Sequence, residues 1–199
     1  MKNKKIHTFK KKYIQKGEIT LIGSRPARGK TSFAYNLAQS CLDSNEGVVI
    51  FSFEMPQQQT IKRILSANNL IPMKRIRKSD LSKDEEDRLT LSQEVLENKK
   101  IYIYDDALNT QQLKNKLKSL ITQDKSISLC IIDYLQLIPH RNTIDMKLAH
   151  HRTIRTLNLL AQELNISIII LSQLNRALEH RDNKRPIISD IFVTKTSNS

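Results

Sequence analysis

The chain has 199 residues, 39% of them hydrophobic and 27% charged, which is enough for one domain with a sizeable core. No apolar run approaches the roughly 20 residues that span a bilayer, and the lysine-rich start leads into no secretion-signal hydrophobic segment, so a membrane role is excluded and a cytoplasmic one expected. A formal net charge of +13 points to a polyanionic partner.

Residues 1–16 form a basic arm. Lys2, Lys4, Lys5, Lys10, Lys11, Lys12 and Lys16 occur there with no acidic residue, so more than half of the net charge lies in it. It reads equally as a solvated tail and as a DNA-contacting segment. Short apolar runs then follow at residues 18–23, 48–53, 101–104, 128–133 and 166–172. Each is nearly continuous in Val, Ile, Leu or Phe, the pattern of strands covered on both faces, as in a parallel sheet between helices. Helices are expected over residues 32–42 and 56–66, and from a capping box at Ser82 and Glu85 to about residue 97. Apolar stripes at Leu113/Leu117/Leu120/Ile121 and at Ile154/Leu157/Leu160/Ala161/Leu164 give two more. Alternating strand and helix predicts an α/β fold with its ligand crevice at the carboxyl ends of the strands.

The first strand runs into Ser24-Arg25-Pro26-Ala27-Arg28-Gly29-Lys30-Thr31-Ser32 and then a helix. Strand, glycine-bearing loop and helix N-terminus together make a phosphate cradle, because a loop wrapping phosphates needs inward N–H groups and no side chain at the closest approach. Gly29 meets the second need, Lys30 can reach terminal phosphates, and the Thr31 hydroxyl can complete a magnesium shell. Ser24 stands where the usual motif has its first glycine.

Three polar residues end later apolar runs and become candidates at the same rim. Asp133 fits a carboxylate holding magnesium through water; the alternative is a turn-forming Asp. Glu54 fits a general base that orients water, or else a carboxylate complementing the helix dipole ahead of Pro56. Gln173 offers a neutral amide able to bond a terminal phosphate and report its loss. Tyr134 occupies the position where many such ATPases carry a catalytic Glu, and reads as near the site or as core. Cys41 and Cys130 are expected as buried free thiols. His140, His150 and His151 are expected at the surface, and Arg141, Arg152 and Arg155 along a subunit boundary, a channel or a solvated helix face.

Residues 24–31, 51–56, 132–137 and 172–176, followed by Asp182-Asn183-Lys184-Arg185-Pro186, resemble in order and spacing the C-terminal motor domain of the bacterial DnaB-type replicative helicases. The resemblance covers residues 17–190. It implies a RecA-like P-loop NTPase fold, ATP with Mg2+, a ring of six subunits with nucleotide between them, and translocation on single-stranded DNA. In that family the first loop position is commonly Ala, which accommodates Ser24. Carried over by motif, residues 24–32 cradle the nucleotide, Lys30 and Thr31 hold phosphates and metal, Asp133 is the Walker B acid, Glu54 activates water and Gln173 senses the terminal phosphate.

Residues 191–199 depart from the family pattern, where members continue with a DNA-contacting loop and a basic finger that completes the neighbour's site. The expectation is therefore a piece truncated at both ends: a fragment, a shortened gene product or a reduced paralogue. The leading reading is a helicase ATPase domain, incomplete as a stand-alone enzyme. The alternatives are a nucleotide-binding paralogue that modulates full-length helicase subunits, and a DNA-binding remnant driven by the basic arm.

Overall fold

The computed structural model describes residues 13–140 and 145–191. Most of the basic arm (Lys2 to Lys12), Arg141 and nearly all of the divergent tail lie outside them. All five expected strands form, within a residue or two of the expected bounds: β1 (Ile19–Ser24), β2 (Gly47–Ser52), β3 (Ile101–Tyr104), β4 (Ile127–Asp133) and β5 (Ser167–Gln173). They make one parallel sheet in the order β1-β5-β4-β2-β3. The chain leaves β1, crosses to β2, moves outward to β3, and returns to fill the gap with β4 and β5.

The apolar runs are continuous because both faces of the inner strands are covered. Every residue of β2 and β4 is buried. Successive side chains alternate between two cores. Val49, Phe51, Cys130, Ile132, Ile168 and Ile170 face one, and Val48, Ile50, Leu129, Ile131, Ile169 and Leu171 face the other. The second core is closed by α1 (Lys30–Leu42), α2 (Gln57–Asn69) and α4 (Lys83–Glu97), through Ala34, Leu37, Ile64, Leu65 and Leu96. The first is closed by α5 (Thr110–Gln123) and α6 (Met146–Leu164), through Leu113, Leu117, Leu157 and Leu160. Each such leucine contributes roughly 1.5–3 kcal/mol on burial.

The capping box of α4 is formed: the Glu85 amide donates to Ser82 Oγ at 3.3 Å and the Ser82 amide to Glu85 Oε2 at 2.9 Å. One short helix was not foreseen, α3 (Met73–Lys78), which has no buried residue and hence no apolar stripe to reveal it. Cys41 and Cys130 are buried free thiols, as expected, and burial pushes the Cys130 thiol up. No helix among the described residues is long and apolar enough to cross a membrane.

The histidine expectation fails in part. His151 is exposed, but His150 is buried on the core side of α6 and meets the half-buried His140 ring at a centroid distance of 5.4 Å. Helical register is the reason: His150 precedes Thr153 and Leu157 by three and seven residues, so it shares their inward face. Arg152 and Arg155 are exposed.

Candidate functional site

Because the sheet is parallel, β1, β5, β4 and β2 end at one rim, side by side. Ser24 pairs with Gln173, and Ser52 with Asp133. The loop from β1 enters α1 with left-handed backbone at Ala27 (φ 57°) and Gly29 (φ 80°), the type of conformation in which nearby amides converge on an anion. A Cβ added at Gly29 would meet no protein atom, so the glycine serves its positive φ and leaves the mouth of the loop open. The first helical bond runs from the Phe33 amide to the Gly29 carbonyl at 2.9 Å, and α1 has no side-chain cap and no acidic residue in its first turn. The amides of Lys30, Thr31 and Ser32 therefore remain available at the positive end of the helix.

In front of this loop is a cavity of about 560 Å³ whose walls are residues 27–32 on one side and Glu54, Met55, Gln59 and Arg63 on the other. The second wall is fixed by a buried relay. Thr60 Oγ1 donates to Ser52 Oγ at 3.0 Å, and Ser52 Oγ donates to the Met55 carbonyl at 2.8 Å, which pins the turn carrying Glu54 to the end of β2.

Beneath the cavity, Thr31 Oγ1 donates to Asp133 Oδ2 at 2.9 Å. Asp133 is fully buried and its Oδ1 has no partner. Burial raises its carboxyl above the usual range; the Thr31 bond and the Lys30 and Arg63 charges pull it down, and the Glu54 charge pushes it up. Lys30 Nζ lies over the Tyr134 ring, 5.0 Å from its centroid, so Tyr134 belongs to the site, as a half-buried platform for the lysine. Burial pushes the Tyr134 hydroxyl up.

Lys30, Thr31, Asp133 and Glu54 thus meet around one cavity, as do Ala27, Arg28, Gly29 and Ser32. Ser24, Arg25 and Pro26 do not line it. Ser24 Oγ donates to the Arg25 carbonyl at 3.0 Å, and Arg25 faces Glu179 at 3.9 Å. Gln173 reaches the correct rim but its side chain is outside the cavity lining; its amide donates to Gln136 Oε1 at 3.3 Å. Gln136 was not anticipated. Its Nε2 donates to Ser172 Oγ at 2.8 Å and to the Ile191 carbonyl at 2.8 Å, joining β5 to the turn at Ile188–Ile191. Arg63 and Gln59 were missed as well, although their spacing of four on the helix after Glu54 was readable.

The residues present fit a magnesium ion. The orphaned Asp133 oxygen and the Thr31 hydroxyl are hard oxygen donors on the edge of a phosphate-shaped loop, and no group of three or more His, Cys, Asp or Glu among the described residues would hold a metal unaided. That is the donor set of a metal whose shell is completed by phosphate and water.

A RecA-like parallel sheet with a cradle between β1 and α1 and an acidic β4 terminus defines the class: P-loop ATPase domains. Within that class, the chain belongs to the DnaB-like helicase C-terminal domain family, whose model matches residues 9–197. It is 39% identical over 180 residues to the replicative DNA helicase DnaB of Helicobacter pylori, covering 89% of this chain and 37% of that protein. To the DnaB of Geobacillus stearothermophilus it is 36% identical over 182 residues, covering 89% and 40%. Among solved structures, a DnaB-like replicative helicase studied with primase matches with a TM-score of 0.81 at 29% identity, over 89% of this chain and 43% of that one. An isolated ATPase domain matches at 0.80, also 29% identical, over 89% and 64%. The chain spans about 37–40% of the length of these curated relatives.

Proposed function

We propose that residues 17–190 are an ATP-binding motor domain that couples hydrolysis to movement on single-stranded DNA within a ring of like subunits or of full-length helicase subunits. The observation that carries this reading is the Thr31–Asp133 hydrogen bond under a cavity walled by Lys30 and Glu54.

The backbone amides of residues 29–32 bind the phosphates of the triphosphate, and Lys30 leaves the Tyr134 ring to neutralise the terminal ones. Thr31 and the free oxygen of Asp133 are the groups that would hold Mg2+, directly and through water. When bound, Mg2+ supplies charge neutralisation of the phosphate oxygens. Glu54, on a turn fixed by Ser52 and Thr60, orients the attacking water and takes its proton. Gln173 stands next to the loop in the sheet and is the residue suited to register the terminal phosphate. Its backbone tie to Gln136 supports a path from that event to the segment at Ile191.

The test is titration of Mg-ATP into the unmodified chain and into Lys30→Ala. Loss of at least about tenfold in affinity, equivalent to about 1.4 kcal/mol, is expected in the variant. Equal affinity in both removes the assignment.

A further inference from the structure

The cavity holds a second cation that nothing so far has used. Arg63 lies on α2, one turn after Gln59, on the wall opposite the phosphate loop. Its Nε is fully buried without a hydrogen-bond partner, and among the described residues no carboxylate forms an ion pair with it. Two acids are close enough to matter, since Arg63 and Glu54 both act on Asp133, yet neither engages the guanidinium. Arg63 also acts on the buried Tyr35 phenol, which burial drives up to about 12.

A buried donor left without an acceptor costs about 1–3 kcal/mol, and more when it carries charge. An arginine is costly to hold this way unless an anion arrives to accept its fork of donors. The only large opening beside it is the phosphate cavity, and the geometry orders what enters. The amides of residues 29–32 take the phosphates nearest the loop, so the group reaching across to α2 is the last phosphate of a triphosphate.

We infer that Arg63 is a terminal-phosphate ligand supplied by the same subunit, which makes the site discriminate nucleoside triphosphate from diphosphate. The inference rests on the nucleotide-binding reading above and adds to it a residue and a selectivity. In the bound state the guanidinium donates to oxygens of the third phosphate from one wall while Lys30 approaches from the other. A diphosphate fills the loop but leaves Arg63 as it is now.

The experiment is calorimetric titration, with Mg2+, of ADP and of the non-hydrolysable β,γ-imido analogue of ATP into the unmodified chain, Arg63→Gln, Arg63→Lys and Lys30→Ala. Arg63→Gln is expected to weaken the triphosphate analogue by roughly 10- to 100-fold while changing ADP by less than about threefold, and Arg63→Lys to recover part of the difference. Lys30→Ala is expected to weaken both ligands. Inorganic phosphate, titrated with ADP present, separates a terminal-phosphate subsite from a general anion site: competition with the analogue but no effect on ADP is expected. Equal losses for both nucleotides in Arg63→Gln, or none, would overturn the inference while leaving the nucleotide site standing. Failure of the unmodified chain to bind either nucleotide would sink both. Thermal unfolding without ligand guards against misfolding, and a fall in the midpoint accompanied by equal losses assigns Arg63 a structural role instead.

Discussion

Thr31 and Asp133, 102 residues apart in sequence, are joined by a 2.9 Å hydrogen bond in which the hydroxyl donates to one carboxylate oxygen and leaves the other without a partner. The bond links the start of α1 to the end of β4. It makes the loop and the acid one unit.

Replacing Thr31 by Val keeps the shape and deletes the donor. Asp133 then loses the hydrogen bond that opposes its burial, and a hydroxyl disappears from the metal-facing edge. Nucleotide affinity measured with Mg2+ should fall about tenfold, while affinity in excess EDTA should move little. An equal fall in both conditions would show that Thr31 does not serve a metal.

Glu54→Gln separates binding from chemistry. The amide preserves size and hydrogen bonding but cannot accept the proton of water, so Mg-ATP affinity should stay within about threefold while turnover, measured by phosphate release with single-stranded DNA present, drops by roughly 10²–10⁴. Unchanged turnover would move the base elsewhere.

Gly47 begins β2 where its register with β4 shifts. A Cβ there would lie 3.0 Å from the Ile127 Cα and amide nitrogen, and backbone at the centre of a sheet has no room to yield. Gly47→Ala should cost about 1–3 kcal/mol of unfolding free energy in a urea titration. A neutral result would mean that the two strands can separate locally.

The His150 imidazole sits below its ordinary value of 6.5, chiefly because it is buried and further because the His140 and His151 rings are near. Neither of its nitrogens has a partner. Above about pH 6.5 both folded and unfolded chains hold it neutral and it contributes no pH dependence. As pH falls below that value the unfolded chain binds the proton and the folded chain resists it, so stability declines towards acid. His150→Leu should flatten the thermal midpoint between pH 7 and 5 relative to the unmodified chain. The same acid slope in both would place its origin elsewhere, with His140 the next group to replace.

Much of this was legible in the sequence for identifiable reasons. Strands with no polar alternation, such as residues 128–133, announce a doubly covered parallel sheet, and Ser82 with Glu85 announces a helix start, because both are local signals. Strand order is not local. Nothing in residues 48–53 or 128–133 says that β4 lies beside β2, and only that pairing puts Glu54 next to Asp133. Arg63 and Gln136 escaped because their importance lies in what surrounds them, an open cavity for one and three chain segments for the other. His150 escaped for a different reason: it was weighed by metal-ligand spacing, when its helical register with Leu157 already placed it inside.

The insertion of β4 and β5 between β1 and β2 has an outcome for the protein's synthesis. Residues 27–32, 54, 133 and 173 are neighbours only in the finished sheet, so a nascent chain emerging N-terminus first has no place for a triphosphate until β5 has slid in beside β1. Any molecule seated there recognises the native form alone, and at a hundred times its dissociation constant it would favour that form by about 2.7 kcal/mol. Cellular nucleotide would then act on this domain as a folding clamp before it acts as fuel.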